Sequence, residues 1–237
     1  MSKKFKKYLS VLLATVLATG CLSAVVAFAD DSVALNEMNF PDANFRAYLS
    51  ENVDTDGNGV LSVEERDNHP IISVANRGIT TLKGIEYFPN LKNLSCSKNP
   101  LDKLDVSTLT ELTSLTCMAD GLSELNLHEN NKLQRLNCAN NQLTSLVVLS
   151  DSLTKLDCYV NKLETLDLTS VPNLKSLRCD QNSLKSLDLS NNQSLTSINC
   201  TYNNLTSLDL SKNTSLANVT NAMIGNQSVS LKANFDG

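Results

Sequence analysis

The residues from Asp54 to Glu65 have the types and the spacing of a hard-cation site. Counted from Asp54, oxygen-bearing side chains stand at positions 1, 3, 5, 9 and 12, and Ca²⁺ takes about six to eight oxygen ligands in loops of this spacing. Gly59 is at position 6, where the chain must turn sharply. We predict that calcium is the cofactor and that its ligands are Asp54, Asp56, Asn58, the Val60 carbonyl, Ser62 through a water, and both oxygens of Glu65.

The sequence on either side of this loop predicts two helices. Residues 41–51 place Phe45 and Leu49 on one helical face, and residues 62–65 are similar to a capping box that opens a second helix. The region therefore resembles an EF-hand, although EF-hand and dockerin loops usually come in pairs and we find no second loop here. The alternative is an acidic turn that binds no metal. A lone extracellular loop is expected to bind Ca²⁺ at about 10⁻⁴ to 10⁻³ M, as a structural ligand rather than a signal.

Six cysteines recur at one position of a repeated pattern, and a seventh, Cys21, lies near the N-terminus. Six cysteines in a secreted chain could form three disulfides. Neighbouring side chains of a parallel ladder, however, point the same way at about 4.8 Å, which is a poor geometry for a disulfide. We therefore expect buried, reduced thiols. No CxxC pair supports a soft-metal site. The six residues are Cys96, Cys117, Cys138, Cys158, Cys179 and Cys200.

The sequence offers little for catalysis. The two histidines, His69 and His128, fall in different segments, and a Ser/His/Asp or Cys/His site needs groups that converge. The chain is acidic, with a formal net charge of -5 and a pI of about 5.1, and its basic residues form no cluster after residue 7. We predict that the protein is not an enzyme and does not bind nucleic acid.

The cysteines belong to units of about 21 residues. Successive units open at Leu91, Leu112, Leu133, Leu153, Leu174, Leu195 and Leu216, at intervals of 21 residues except for one of 20. The repeat reads LxxLxCxxNxLxxLDL, and in most units it continues with Ser/Thr and Asn. One unit cannot bury its own apolar side chains, but stacked units bury them against one another.

This period and this residue order resemble the leucine-rich repeat, and the 21-residue form with Cys resembles the short bacterial IRREKO class. The arrangement as a whole looks like that of secreted leucine-rich repeat proteins of Gram-positive gut bacteria. The expected fold is a β-rich solenoid with a parallel sheet on the concave face and a small helical, EF-hand-like N-terminal cap. The period-two segments Leu104–Val106, Leu166–Leu168, Leu187–Leu189 and Leu208–Leu210 predict short strands on the opposite face, with their Asp residues outward.

An asparagine recurs three residues after each cysteine, except that Asp120 replaces it in the second unit. We expect these side chains to bond backbone groups at the turn that leaves each strand. Asp120 keeps an acceptor there but loses the amide donors.

The predicted organisation has five parts. They are a signal peptide (1–29), a helical cap with the calcium loop (30–68), an atypical capping repeat (69–90), six leucine-rich repeats (91–215) and a degenerate C-terminal repeat (216–237). The first seven residues carry four lysines and residues 8–29 are uncharged, which is typical of a secretory signal. Acylation at Cys21 and an uncleaved membrane anchor remain as alternatives. Each of these places the rest of the chain outside the cytoplasm, secreted or associated with the cell surface.

The resemblance implies a binding platform whose contacts come from variable residues of the concave face. Tyr and Arg are common anchors of protein interfaces. We expect a monomer that binds a protein partner there. The alternatives are a spacer of a larger surface protein that has no partner, and a surface that binds carbohydrate or adheres to a host. The candidate contact residues are Arg135, Lys155, Asp157, Tyr159, Arg178, Asp180 and Tyr202.

Overall fold

The computed structural model describes residues 31–216 and two short strands, Ala222–Met223 and Ser230–Lys232. The predicted signal peptide, Cys21 and most of the predicted C-terminal repeat lie outside the described residues. Ser32–Gly237 form one compact unit. Among the described helices, none is long and apolar enough to cross a membrane.

The N-terminal cap contains two helices and a small antiparallel ladder. Its elements are β1 (Val33–Ala34), α1 (Ala43–Asn52), β2 (Val60–Leu61) and α2 (Val63–Asp67). The N-terminus of α1 is capped by Asp42, whose carboxylate accepts from the Phe45 N–H. Both predicted helices are present, and the predicted capping box between Ser62 and Glu65 at the start of α2 is confirmed.

The repeats form a parallel β-solenoid, which confirms the predicted fold class. The elements that follow the cap are β3 (Ile71–Ser73), a 3-10 turn (Ile85–Tyr87), β4 (Asn93–Ser95), β5 (Lys103–Asp105), β6 (Ser114–Thr116), β7 (Glu124–Asn126), β8 (Arg135–Asn137), β9 (Lys155–Asp157), β10 (Ser176–Arg178), β11 (Ser197–Asn199), β12 (Ser207–Asp209), a second 3-10 turn (Thr214–Leu216), β13 (Ala222–Met223) and β14 (Ser230–Lys232). Eight of these strands form one sheet, in the order β13-β11-β10-β9-β8-β6-β4-β3.

The leucines of the repeat explain why the sheet forms. In the three-residue strands of the large sheet the middle side chain points inward, as Leu115, Leu136 and Leu177 do, and all three are fully buried or nearly so. The two flanking residues point outward. The surface formed by these outward side chains of the large sheet is called the sheet face. Burying a leucine is worth about 1.5 to 3 kcal/mol, so stacking offsets much of the entropy lost in ordering each unit.

The recurring asparagines, called the asparagine ladder, form hydrogen bonds with backbone groups at the turn after each strand, as predicted. Asn182 donates to the carbonyls of Cys158 and Cys179, and its Oδ1 accepts from the Leu163 N–H of the preceding unit. Just before it, Gln181 is in the left-handed region with φ 55°. Residues with non-glycine side chains take this conformation in every unit, including the β-branched Val160.

The second line of strands differs from the prediction in the middle of the stack. On this opposite side, called the return face below, β5 pairs with β7 and β12 pairs with β14, but Leu166–Leu168 and Leu187–Leu189 are not strands. One long backbone bond joins the two segments just before these residues, from the Lys185 N–H to the Glu164 carbonyl at 3.4 Å. The predicted alternation persists, with the leucines buried.

The cap covers the first edge of the large sheet. Strand β3 is the terminal strand, and its Ser73 N–H donates to the hydroxyl of Tyr48 on α1 at 3.2 Å. Asp42 joins the two parts, because one carboxylate oxygen caps α1 and the other accepts from the Thr80 N–H and hydroxyl at 2.8 and 2.9 Å. A free strand edge would otherwise be open to pairing with other chains.

Candidate functional site

The loop of the cap gathers three carboxylates at one point. One oxygen each from Asp54, Asp56 and Glu65 lies within 4.8 Å of the others. Ligands of a single Ca²⁺ lie about 2.3 to 2.6 Å from the ion, so any two of them are at most about 5 Å apart. The three carboxylates therefore fit around one ion, and hard oxygen donors are what Ca²⁺ prefers.

Backbone hydrogen bonds to the first ligand fix the turn of the loop. The Asp54 carboxylate accepts from the Gly59 N–H at 2.9 Å and from the Asn58 N–H at 3.2 Å. Gly59 has φ 77°, in the region that favours glycine. The Asn58 amide oxygen accepts from the Val60 N–H at 2.7 Å. The loop is thus wrapped around its own carboxylates at the positions that the sequence singled out.

The carboxylate of Glu65 is held ionised by its neighbours. Burial raises the pKa of Glu65, but hydrogen bonds from the backbone and hydroxyl groups of Ser62 and Thr55 outweigh it and lower the pKa to about 2. An ionised carboxylate is the form that a cation needs. Ser62 lies against Glu65, with its hydroxyl 2.9 Å from Oε2.

A strand from the N-terminus of the cap pairs with the loop. Leu61, at loop position 8, is opposite Val33, and Val60 is opposite Ala34. Because this antiparallel ladder is supplied from within the cap, the loop has a pairing strand without a second loop of its own kind.

The candidate partner residues of units 3 to 5 form a connected patch on the sheet face. Arg135 and Lys155 are direct neighbours across β8 and β9, and Asp157 is opposite Arg178 across β9 and β10. The Arg178 guanidinium stacks over the Tyr159 ring at 4.1 Å. The structure therefore joins these five residues through adjacent strands and one stacked pair.

The two aspartates of this patch lie beneath its cations. Asp157 and Asp180 are only 6% and 4% exposed, so they position other groups rather than offer contact area. Lys155 Nζ lies 3.1 Å from Asp157 Oδ2, and Arg178 Nε lies 3.7 Å from Asp180 Oδ1. The Oδ1 atom of each aspartate is buried without a hydrogen bond.

Tyr202 lies apart from these contacts. It belongs to the next unit and follows β11 in the turn, with φ 55°, rather than on a strand. Its side chain is 57% exposed. The tyrosine therefore stands at the border of the patch.

The six repeat cysteines are free thiols with fully buried side chains, as predicted. Burial raises the pKa of each thiol for which a shift is resolved, to about 12 for Cys138. These groups are apolar packing elements. His128 is exposed beside Glu129, and His69 bonds the Glu65 carbonyl at 2.7 Å, so the described residues bring neither histidine to a thiol.

A second ladder on the return face was not recognised from the sequence. The amides of Asn130, Asn192 and Asn213 are buried and donate to backbone carbonyls of the preceding unit. In unit 3 the Ser150 hydroxyl takes this place. The recurrence of Asn or Ser three positions before Leu133, Leu153, Leu195 and Leu216 was the available signal.

Comparison with known proteins supports the fold. No protein-family model matches the chain, and neither does any curated protein. Among solved structures, internalin C2 from Listeria monocytogenes has a TM-score of 0.70 and 22% identity over 87% of this chain and 92% of that one. The chain has the leucine-rich repeat fold.

Two further Listeria monocytogenes structures are similar. An internalin (inlF) has a TM-score of 0.58 and 22% identity, covering 87% of this chain and 68% of that one. The functional domain of InlJ, described as including a cysteine ladder, has a TM-score of 0.49 and 22% identity over 86% of this chain. The chain spans 62% of the length of that domain.

Proposed function

We propose that this protein is an extracellular leucine-rich repeat module that binds a protein partner, or mediates adhesion, through the sheet face of units 3 to 5. We further propose that Ca²⁺ bound by the loop 54–65 stabilises the N-terminal cap. The binding proposal rests on one observation, the concentration of charged and aromatic side chains in the patch around Arg178.

The outward strand positions differ along the stack. In β4, β6 and β11 they are Asn, Ser or Thr only, whereas β8 to β10 carry every charged residue among the outward positions of these six strands: Arg135, Lys155, Asp157 and Arg178. A spacer has no need of such a concentration. Ordered Arg and Tyr side chains lose little entropy on binding, and both are frequent anchors of protein interfaces.

The geometry of the patch favours a protein as the ligand. The buried aspartates hold Lys155 and Arg178 in place, and Arg178 covers the Tyr159 ring. Such an arrangement is ordered before the partner arrives. Arg135 adds a cation that forms no ion pair with the described residues, so an acidic group of the partner would pair with it.

The calcium proposal is supported by the three convergent carboxylates and by the backbone bonds that close the loop. The cap contacts the first strand and the capping repeat. Ordering the loop would therefore stabilise the part of the molecule that covers the open sheet edge.

A capture experiment tests the binding proposal. The purified protein is immobilised in calcium and exposed to extracellular and cell-surface extracts, and captured proteins are identified by mass spectrometry and then tested in purified form. We expect the unmodified protein to retain one partner. The variants Arg178→Ala and Tyr159→Ala should each bind that partner at least about tenfold more weakly.

The matched control is Ser95→Ala, which changes an outward position of β4 on the same face. It should leave binding unchanged. If no purified protein binds, or if Arg178→Ala, Tyr159→Ala and Ser95→Ala bind equally well, the sheet face of units 3 to 5 is not the binding surface.

A further inference from the structure

Two cations of the sheet face stand side by side at one register position. Arg135 on β8 and Lys155 on β9 are direct partners in the parallel ladder, so their side chains leave neighbouring strands about 4.8 Å apart. At the same position β4, β6, β10 and β11 carry only Asn or Ser. Like charges at adjacent positions of a sheet are destabilising. This pair therefore works against folding, and the other units show that the repeat needs no charge here.

The cations of the patch are exposed, whereas its carboxylates are buried. The side chains of Lys155 and Arg178 are 51% and 45% exposed, and Arg135 is exposed as well. Asp157 and Asp180 lie buried beneath Lys155 and Arg178, and Arg135 forms no ion pair with the described residues. The patch therefore presents three positive groups to a ligand and keeps its negative groups below the surface.

The acidic character of the whole chain does not oppose an anionic ligand at this place. The formal net charge is -5, but at physiological ionic strength exposed charges more than about 8 Å apart are largely screened from each other. A ligand on the sheet face therefore responds mainly to the cations that it touches. Those cations favour a ligand that carries negative groups.

We propose that the ligand of the sheet face is an acidic segment of a protein, whose carboxylates bind Arg135 and Lys155 and extend to Arg178. This inference rests on the proposed function and names the chemistry of the partner. Arginine binds carboxylates through paired N–H donors. A carboxylate between Arg135 and Lys155 replaces their mutual repulsion with two attractions, so the charge conflict of the free protein is relieved in the complex.

The number of charges favours a protein segment over a polyanion such as a sulfated polysaccharide. The three cations and the two aspartates of the patch leave a net charge of +1, whereas polyanions bind surfaces that neutralise many charges at once. Beside the cations, the Tyr159 hydroxyl lies 3.7 Å from the Met118 sulfur, and Arg178 stacks over the Tyr159 ring at 4.1 Å. This ordered ridge offers apolar contact that suits the side chains of a peptide.

The test measures the binding of labelled peptides to the purified protein. The probe is the peptide Gly-Glu-Gly-Glu-Gly-Glu-Gly, which places its three carboxylates on one side when it is extended. It is compared with the corresponding Gln-for-Glu peptide by fluorescence anisotropy at low salt, where exposed charges are least screened. We expect the acidic peptide to bind at least about tenfold more tightly than the glutamine peptide.

The variant Arg135→Glu separates binding from folding. It gives Lys155 a neighbour of opposite charge, so its melting temperature should be equal to or higher than that of the unmodified protein. It should bind the acidic peptide at least about tenfold more weakly. The matched control is Lys212→Glu, which makes the same change in net charge at an exposed residue next to the return-face amide of Asn213. This control should bind the acidic peptide as the unmodified protein does.

Three results would overturn the proposal. They are equal binding of the acidic and glutamine peptides, equal binding of the acidic peptide by Arg135→Glu and Lys212→Glu, and a heparin fragment that binds more tightly than the acidic peptide and is lost from Arg135→Glu. The third result would assign the cations to a sulfated polysaccharide. The proposed function fails separately, because a captured protein that is lost from Arg178→Ala while the two peptides bind equally would show a sheet-face partner that is not acidic.

Discussion

At the residue scale, one carboxyl group interrupts the asparagine ladder. The carbonyls of Cys138, Cys158 and Cys179 each accept from two ladder amides, but those of Cys96 and Cys117 accept from one each. The missing donors are those that Asp120 lacks. Its side chain still accepts from the Asn99 N–H at 2.8 Å. As expected from the sequence, Asp120 therefore keeps the acceptor of the ladder but lacks the amide donors.

Replacing this carboxyl by an amide should stabilise the protein. We expect Asp120→Asn to raise the free energy of unfolding by about 1 to 2 kcal/mol at pH 7, because the amide supplies the missing donors and removes a buried charge. For a chain of this length the melting temperature should rise by roughly 2 to 8 °C, which calorimetry measures. Asn99→Ala, which removes ladder bonds, should lower it.

The same group predicts a pH dependence. Burial raises the pKa of Asp120, against the hydrogen bonds that lower it, to about 6 from the ordinary value of 3.8. The folded state then binds the proton more tightly than the unfolded state, so this contribution to stability is complete below pH 3.8 and is lost as the pH rises through 6. The advantage of Asp120→Asn over the wild type should therefore shrink between pH 6 and pH 4 in melts across this range. An advantage that grows on acidification would contradict this assignment.

At the scale of elements, the cap is a closed unit in which one loop, two helices and one added strand support each other. The loop pairs with β1, and Glu65 belongs both to the proposed calcium ligands and to the capping box of α2. Binding of Ca²⁺ at the proposed site would therefore be coupled to formation of α2 through one side chain. The helices and the capping box were predictable, because their signals are local. The pairing of β1 with the loop was not predictable, because a strand of two residues carries no periodic signal.

Calcium should raise the stability of the cap. With an affinity of about 10⁻⁴ to 10⁻³ M, 10 mM Ca²⁺ adds about 1.4 to 2.7 kcal/mol, or roughly 3 to 10 °C in melting temperature. Glu65→Gln should abolish this rise while retaining an acceptor for the capping box. Differential scanning calorimetry with and without a chelator makes the measurement.

The matched control is Glu64→Gln, which changes the exposed neighbour on the same helix. It should keep the full effect of calcium. A calcium response that is the same in Glu65→Gln and Glu64→Gln would show that the loop is not the site.

At the scale of the whole molecule, a single apolar core runs from the cap to the last described unit. The six thiols lie within it, so a reagent reaches them only when units separate. In the native protein we expect the repeat cysteines to be unreactive toward Ellman's reagent over minutes, and all six to react at once in denaturant. Rapid labelling of one or two thiols under native conditions would show that part of the stack opens separately.

The features that recur in every unit were predictable from the sequence, whereas the features that depend on the distance between units were not. The positions of Leu, Cys and Asn in each unit established the parallel sheet and the inward thiols, because any stacked arrangement must bury them. The prediction of strands at Leu166–Leu168 and Leu187–Leu189 was wrong, because alternation shows which side chains point inward but does not determine whether neighbouring backbones form a ladder. The spacing in the sequence indicated that Asp54, Asp56 and Glu65 converge. The burial of Asp157 and Asp180 beneath their cations required the three-dimensional structure.

We propose that a protein partner binds the sheet face of units 3 to 5. Hydrogen–deuterium exchange of the complex with the captured partner tests it most directly. We expect new protection in peptides that cover β8 to β10 and the turns after them, with no change in β4 and β6. Protection confined to the cap, to the return face or to the first two units, with β8 to β10 unchanged, would contradict it.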